Sequence, residues 1–85
     1  MTAGKDTITY KGQPPININL IENYFDDENV LNDDSSNYVI VFMLLNDNMS
    51  TWIFFDERER NLAMSLIDAK IELATIENKI KAFYN

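Results

Sequence analysis

The sequence contains no cysteine and no histidine. Without cysteine, neither a disulfide nor a thiolate metal site can stabilise the fold or bind zinc. Without histidine, no imidazole is available to activate a serine, which excludes serine–histidine and cysteine–histidine nucleophilic sites. Only two glycines are present, too few for a phosphate-binding glycine loop. We therefore expect a protein that is not an enzyme and that carries neither a cofactor nor a metal.

Basic residues are absent between Lys11 and Arg58, and the net charge of the chain is −7. The interval carries nine acids: Glu22, Asp26, Asp27, Glu28, Asp33, Asp34, Asp47, Asp56 and Glu57. Nucleic acids and anionic membrane surfaces require cationic patches, so the sequence argues against both as direct partners. A basic protein would be attracted to such a chain, although acidity can also serve solubility alone.

Five acids fall within residues 26–37, which we interpret as a solvated loop. A calcium loop of the EF-hand type needs oxygen ligands at positions 1, 3, 5 and 12, with glycine at position 6. A register that starts at Asp33 places Tyr38 at position 6 and Leu44 at position 12, and one that starts at Asp26 places Val30 at position 5. Both registers fail, which leaves an irregular calcium site only as a minor alternative.

The longest apolar run, residues 38–45, is eight residues long, far below the roughly 20 that span a bilayer. The first six residues contain no apolar stretch typical of a signal peptide. We therefore expect a cytoplasmic protein. Eleven asparagines and ten isoleucines are typical of AT-rich genes, such as those of many bacteria, phages and mobile elements.

The first two thirds of the chain predict β structure. Residues 7–10 and 16–20 alternate between apolar and polar side chains and favour two strands. A short helical turn is expected from Asn19 onwards, with Leu20, Ile21, Tyr24 and Phe25 on one face. Residues 38–45 and 49–55 predict a hairpin, with the first strand covered on both faces and a turn at residues 46–48.

Residues 56–84 predict one long helix that begins with a capping box formed by Asp56 and Glu59. No glycine or proline interrupts it. One apolar stripe, named here the helix seam, has the 4-3-4-3-4-3 spacing of a heptad repeat. It consists of Leu62, Leu66, Ala69, Leu73, Ile76, Ile80 and Phe83. A second stripe consists of Met64, Ile67, Ile71 and Ala74.

A helix of roughly 28 residues is about 42 Å long, whereas a compact domain of this size is about 30 Å across. We therefore expect the second stripe to cover the sheet and the helix seam to form a homodimer. The alternative is that the whole helix lies across its own sheet within a monomer.

Together these patterns predict a single α+β domain, residues 1–85, with an antiparallel sheet of three to four strands followed by one long C-terminal helix. The function expected is that of a non-catalytic protein-binding module that inhibits a basic protein, such as a nucleic-acid-handling, defence or toxin protein. Its partner-binding residues would be Glu22, Asp26, Asp27, Glu28, Asp33 and Asp34. The alternative is a structural or assembly subunit that dimerises through the helix, with acidity serving only solubility.

Overall fold

The chain forms two antiparallel sheets followed by one long helix. The computed structural model describes residues 6–30 and 36–84, without the side chains of residues 30 and 82–84. The smaller sheet pairs β1 (Thr7–Ile8) with β2 (Ile16–Asn17). The larger sheet has the strand order β3-β4-β5 and consists of β3 (Ile21–Val30), β4 (Ser36–Leu44) and β5 (Met49–Phe54). The helix is α1 (Glu57–Tyr84). The predicted α+β arrangement, with a small antiparallel sheet before a C-terminal helix, is confirmed.

The central hairpin of β4 and β5 is close to the one predicted at residues 38–45 and 49–55. Its connection is a short 3-10 turn, Leu45–Asp47, in which Asn46 and Asp47 have φ angles of 65° and 62°. Asparagine and aspartate tolerate this left-handed backbone better than most residues, which is why the sequence predicts the turn.

The core lies between one face of the β4–β5 hairpin and α1. Because β4 pairs Ile40 with Trp52, the even-numbered side chains of both strands share this face. The rings of Phe42 and Trp52 meet edge to face at 5.1 Å. The buried apolar residues that pack together are Ile8, Ile16, Ile40, Phe42, Trp52, Phe54, Ala63 and Ile67. The expectation that β4 is covered on both faces holds only in part, because on its outer side Val39 is 3% exposed whereas Met43 is 38% exposed.

The first hairpin packs against the free edge of β5. Gly12, with φ of 80°, makes its turn. The Gln13 side-chain amide donates to the Ile53 carbonyl at 2.8 Å and accepts from the Ile53 N–H at 3.0 Å. The indole Nε1 of Trp52 donates to the Pro14 carbonyl at 2.7 Å. These long-range bonds fix the hairpin, whose strands are only two residues each rather than the four and five predicted.

The segment after β2 differs from the prediction. A 3-10 turn, Ile18–Leu20, follows Asn17, whose side chain accepts a hydrogen bond from the Asn19 N–H at 2.9 Å. The chain then enters β3 instead of forming a helical face. Tyr24 lies beside Phe42 of β4, with ring centroids 6.4 Å apart, so pairing with the central strand outweighs the local helical pattern.

The acidic loop predicted at residues 26–37 is largely strand. Residues 26–30 belong to β3, where Asp26 pairs with Ile40 and Asp27 with Val39, and residues 36 and 37 belong to β4. Residues 31–35 lie outside the described part of the chain. Strand preference depends strongly on context, and here the apolar β4 supplies a full ladder of partners that overrides the low preference of aspartate for strands.

The helix is longer than the layer that it covers. It has 28 residues, and the Asp56 carboxylate caps it by accepting from the Arg58 N–H at 3.4 Å. The molecule measures 56 × 27 × 24 Å, with a radius of gyration of 14.8 Å. A compact chain of this length would have a radius of about 12 Å. The overhang expected from the sequence is therefore present.

Candidate interaction surfaces

One side of α1 faces the sheet. Ile67 is fully buried, and Met64 and Ile71 pack against the core, as predicted for the second stripe. Two further residues on this side, Arg60 and Ala63, are also buried. Their positions extend the 3- and 4-residue spacing of the stripe by one turn towards the start of the helix. The spacing of the stripe in the sequence therefore also places these two residues on the sheet-facing side.

The helix seam lies on the other side of α1 and is exposed. Its large side chains are 46–57% accessible to solvent, and Ala69 is exposed as well. These are Leu62 at 57%, Leu66 and Leu73 at 53%, Ile76 at 46% and Ile80 at 51%. The Phe83 side chain lies outside the described part of the structure. Among the described residues, the seam therefore does not contact the sheet of its own chain.

Helix periodicity explains this exposure. With 100° between successive residues, the centre of the helix seam lies about 155° around the axis from the centre of the sheet-facing side. A helix cannot present both sides to one sheet. Because Ile67 faces the core, the helix seam faces solvent.

Charged side chains border the helix seam on both sides. Lys70 and Glu77 lie on the border nearer the sheet and are half-buried, whereas Glu72 and Lys79 lie on the far border and are exposed. The only ion pairs among the described residues involve Arg60, so none of these four side chains is paired within that part of the chain. Each border therefore carries one unpaired lysine and one unpaired glutamate.

The acidic residues predicted as a partner-binding surface do not form one patch. Asp26 and Glu28 lie on the helix side of β3, whereas Asp27 lies on the opposite face, because side chains alternate along a strand. Glu22 is exposed near the start of β3. Asp33 and Asp34 lie outside the described residues. Asp26 is also engaged within the chain, since its carboxylate lies 3.5 Å from the Arg60 guanidinium.

Arg60 is the buried cation that joins the helix to β3. It is 7% exposed and donates from Nη1 to the Asp27 carbonyl at 3.0 Å. Its guanidinium lies 5.6 Å from the centre of the Tyr38 ring, and the Glu57 carboxylate is 3.7 Å away. Asp56 lies four residues before Arg60, a spacing that favours an ion pair on a helix, but the guanidinium binds the Asp26 carboxylate and the Asp27 carbonyl on β3 instead.

A second bond joins β3 to the helix farther along. The Tyr24 hydroxyl donates to the Asp68 carboxylate at 2.5 Å. Burial of the ring, followed by the hydrogen bond to Asp68 and its negative charge, raises the pKa of Tyr24 to about 12. The phenol is therefore neutral at physiological pH and serves as a donor. Arg60 and Tyr24 together hold the edge strand against the helix.

The overhanging part of α1 borders an open groove of about 330 Å³. Asp6, Ile18 and Asn19 line one wall, and the helix between Lys70 and Lys81 forms the other. Within residues 6–30 and 36–84, no group of histidine, cysteine, aspartate or glutamate side chains could hold a metal ion. None of the helices in that same part of the chain is long and apolar enough to cross a membrane.

Comparison with known proteins gives no relative: no family model, curated protein or solved structure matches the chain.

Proposed function

We propose that this protein is a non-catalytic, cytoplasmic protein-binding module that self-associates through the helix seam and serves as a small assembly subunit. The observation that supports it is the exposure of five large aliphatic side chains along one face of α1, each between 46 and 57% accessible. Contiguous apolar surface of this kind marks interaction sites in proteins that are otherwise well folded. The heptad spacing of the same residues suits packing against another helix.

The composition and the size of the chain support the same proposal. Full burial of a leucine or isoleucine contributes about 1.5–3 kcal/mol, so burial of the exposed half of each seam residue would contribute roughly 1 kcal/mol. Small domains bury a modest share of their surface, and association is a way to bury more when disulfides are absent. The lack of cysteine also suits a reducing cytoplasm.

The test is the oligomeric state in solution. At about 100 µM, well above the range of ordinary specific pairs, light scattering should give the mass of a dimer for the wild-type chain. The double substitution Ile76→Asp and Ile80→Asp should give a monomer, because it places charges in an apolar contact. The matched control is Thr75→Asp with Asn78→Asp, which adds the same two charges to the same turns at exposed positions off the seam. This control should remain a dimer.

Fluorescence of the single, buried Trp52 verifies that each variant is folded. A wild-type monomer at this concentration would contradict the proposal. High salt gives an independent criterion, since a contact made by apolar side chains should persist or strengthen as charges are screened.

The second candidate function is inhibition of a basic protein. It is favoured by Glu22, Asp27 and Glu28, whose exposed side chains form no ion pair among the described residues. Acidic surfaces steer association with basic partners, and this contact would weaken with salt. Neutralising the three residues to Gln, Asn and Gln, while keeping Asp26 for its contact with Arg60, should slow binding to such a partner. Unchanged capture of the same host proteins at low and high salt would contradict it.

A further inference from the structure

The charges that border the helix seam are arranged with a symmetry that selects one orientation of the second copy. We propose that the second copy binds antiparallel along the helix seam, related by a twofold axis that passes between Ala74 and Thr75. This inference rests on the proposed self-association and adds its geometry. In heptad notation Leu66, Leu73 and Ile80 occupy position a, and Leu62, Ala69 and Ile76 occupy position d.

The proposed axis aligns the apolar residues. In an antiparallel pair, each a residue should lie beside a d residue of the other helix. An axis between Ala74 and Thr75 places Leu73 beside Ile76 of the second copy and Ala69 beside Ile80 of the second copy. The twofold repeats both contacts, which gives four layers within a stretch of 12 residues. The part of the seam between residues 69 and 80 therefore matches itself when one copy is reversed.

The same axis aligns the bordering charges. In an antiparallel pair, each border of one seam meets the same border of the other. Lys70 then lies within about 3 Å, along the axis, of Glu77 of the second copy, and Glu72 lies equally close to Lys79 of the second copy. The twofold doubles these contacts to four pairs of opposite charge. All four side chains are unpaired within the described chain, so each is available.

A parallel pair would reverse the sign of this effect. There, a residue at position g meets the residue five positions later, at position e, in the other helix. Glu72 would face Glu77 of the second copy, and the symmetry would produce this repulsive pair twice. No lysine would meet a glutamate across such a seam. The distribution of charge thus favours the antiparallel orientation and disfavours the parallel one.

The fold leaves room for this arrangement. Each sheet covers the first half of its helix on the side about 155° from the seam, so neither sheet lies between the two helices. The overhanging second half of each helix has no sheet of its own to cover it. About the proposed axis, residues 65–84 of the two helices overlap, so this half would lie mainly along the second half of the other helix. The two sheets would then lie at opposite ends of the dimer.

Two double variants with unchanged net charge test the orientation. Lys70→Glu with Glu72→Lys converts all four antiparallel pairs into like-charge pairs, whereas it converts the repulsive parallel contact into an attractive one. We expect the dimer Kd to rise by about tenfold or more. The matched control, Lys70→Glu with Glu77→Lys, keeps all four antiparallel pairs attractive. Its Kd should stay within about threefold of wild type, a range that covers the small contributions of ordinary surface ion pairs.

The measurement is sedimentation over a concentration series at low salt. A tighter dimer for Lys70→Glu with Glu72→Lys, or equal Kd values for both variants, would overturn the antiparallel assignment while self-association stands. A wild-type chain that is monomeric would instead remove the proposed function itself, so the two failures are distinguishable.

Spin labels give an independent distance. Because the chain has no cysteine, single substitutions Thr75→Cys and Ser65→Cys can each be labelled without background. In the antiparallel dimer, the two labels at position 75 lie at nearly the same height along the helix axes, whereas those at position 65 are about 28 Å apart along the axis. In a parallel dimer, the two labels of each site lie at the same height. A short distance at position 65 would therefore overturn the assignment.

Discussion

Replacement of Arg60 by methionine tests whether the helix is joined to the edge strand as described. Methionine keeps an unbranched apolar side chain in the same space and removes the guanidinium. The hydrogen bond to the Asp27 carbonyl has a charged donor and contributes about 1.5–3 kcal/mol. The cation–π contact of the guanidinium with the Tyr38 ring contributes about 0.5–1 kcal/mol. The side chains of Asp26 and Glu57 are 53 and 60% exposed, so their ion pairs add less than about 1 kcal/mol.

Removal of a buried charge also relieves its desolvation, which offsets part of this loss. We expect Arg60→Met to lower the free energy of unfolding by about 2 kcal/mol. For a domain of this size, that corresponds to a fall in Tm of about 8–16 °C. The free energy should be measured by urea unfolding, with Trp52 fluorescence as the signal, at one fixed protein concentration because association would add to stability.

Arg58→Met is the matched control for this measurement. Arg58 is exposed and its side chain forms no ion pair among the described residues, so the same substitution should change stability by less than about 0.5 kcal/mol. If the two variants lose the same free energy, Arg60 does not hold β3 against the helix, and the reasoning fails.

Two further outcomes are expected. Phe54 is 3% exposed, so Phe54→Ala should cost about 3–5 kcal/mol in urea unfolding, and a loss below about 1 kcal/mol would mean that its face is not the core. The pKa of Tyr24 is raised to about 12 from its ordinary value of 10.0, so the fold favours the neutral phenol; this contribution is fully present below pH 10 and is lost as pH rises towards 12. Tyr24→Phe should therefore show a shallower decline of stability than wild type between pH 10 and 12, and parallel profiles would refute the assignment.

The parts of the fold that follow from local pattern were predictable. The hairpin of β4 and β5, its left-handed turn and the 28-residue helix each have a signal contained within a few neighbouring residues. The division of the helix into two stripes also followed, because 3.6 residues per turn fix which side chains share a face. The exposure of the helix seam is a consequence of that division.

The acidic strand was not predictable in the same way. Asp26, Asp27 and Glu28 have low strand preference, and their conformation is set by pairing with β4, which is distant in sequence. Arg60 was missed for a related reason. Its spacing placed it on the sheet-facing side, but the carbonyl of Asp27 that it binds could be located only after the acidic segment was known to be a strand.

Both edges of the larger sheet carry features that oppose pairing with another strand. At the β5 edge, the Gln13 amide already occupies the N–H and carbonyl of Ile53, as a neighbouring strand would. At the β3 edge, a second copy of β3 paired in parallel and in register would bring Glu22, Asp26, Asp27 and Glu28 against identical carboxylates, and charged edge strands resist pairing in general. Sheet-to-sheet aggregation is thereby suppressed at the same time as an apolar helix face is left open. The acidity of the chain thus directs where copies can meet, even if no basic partner exists.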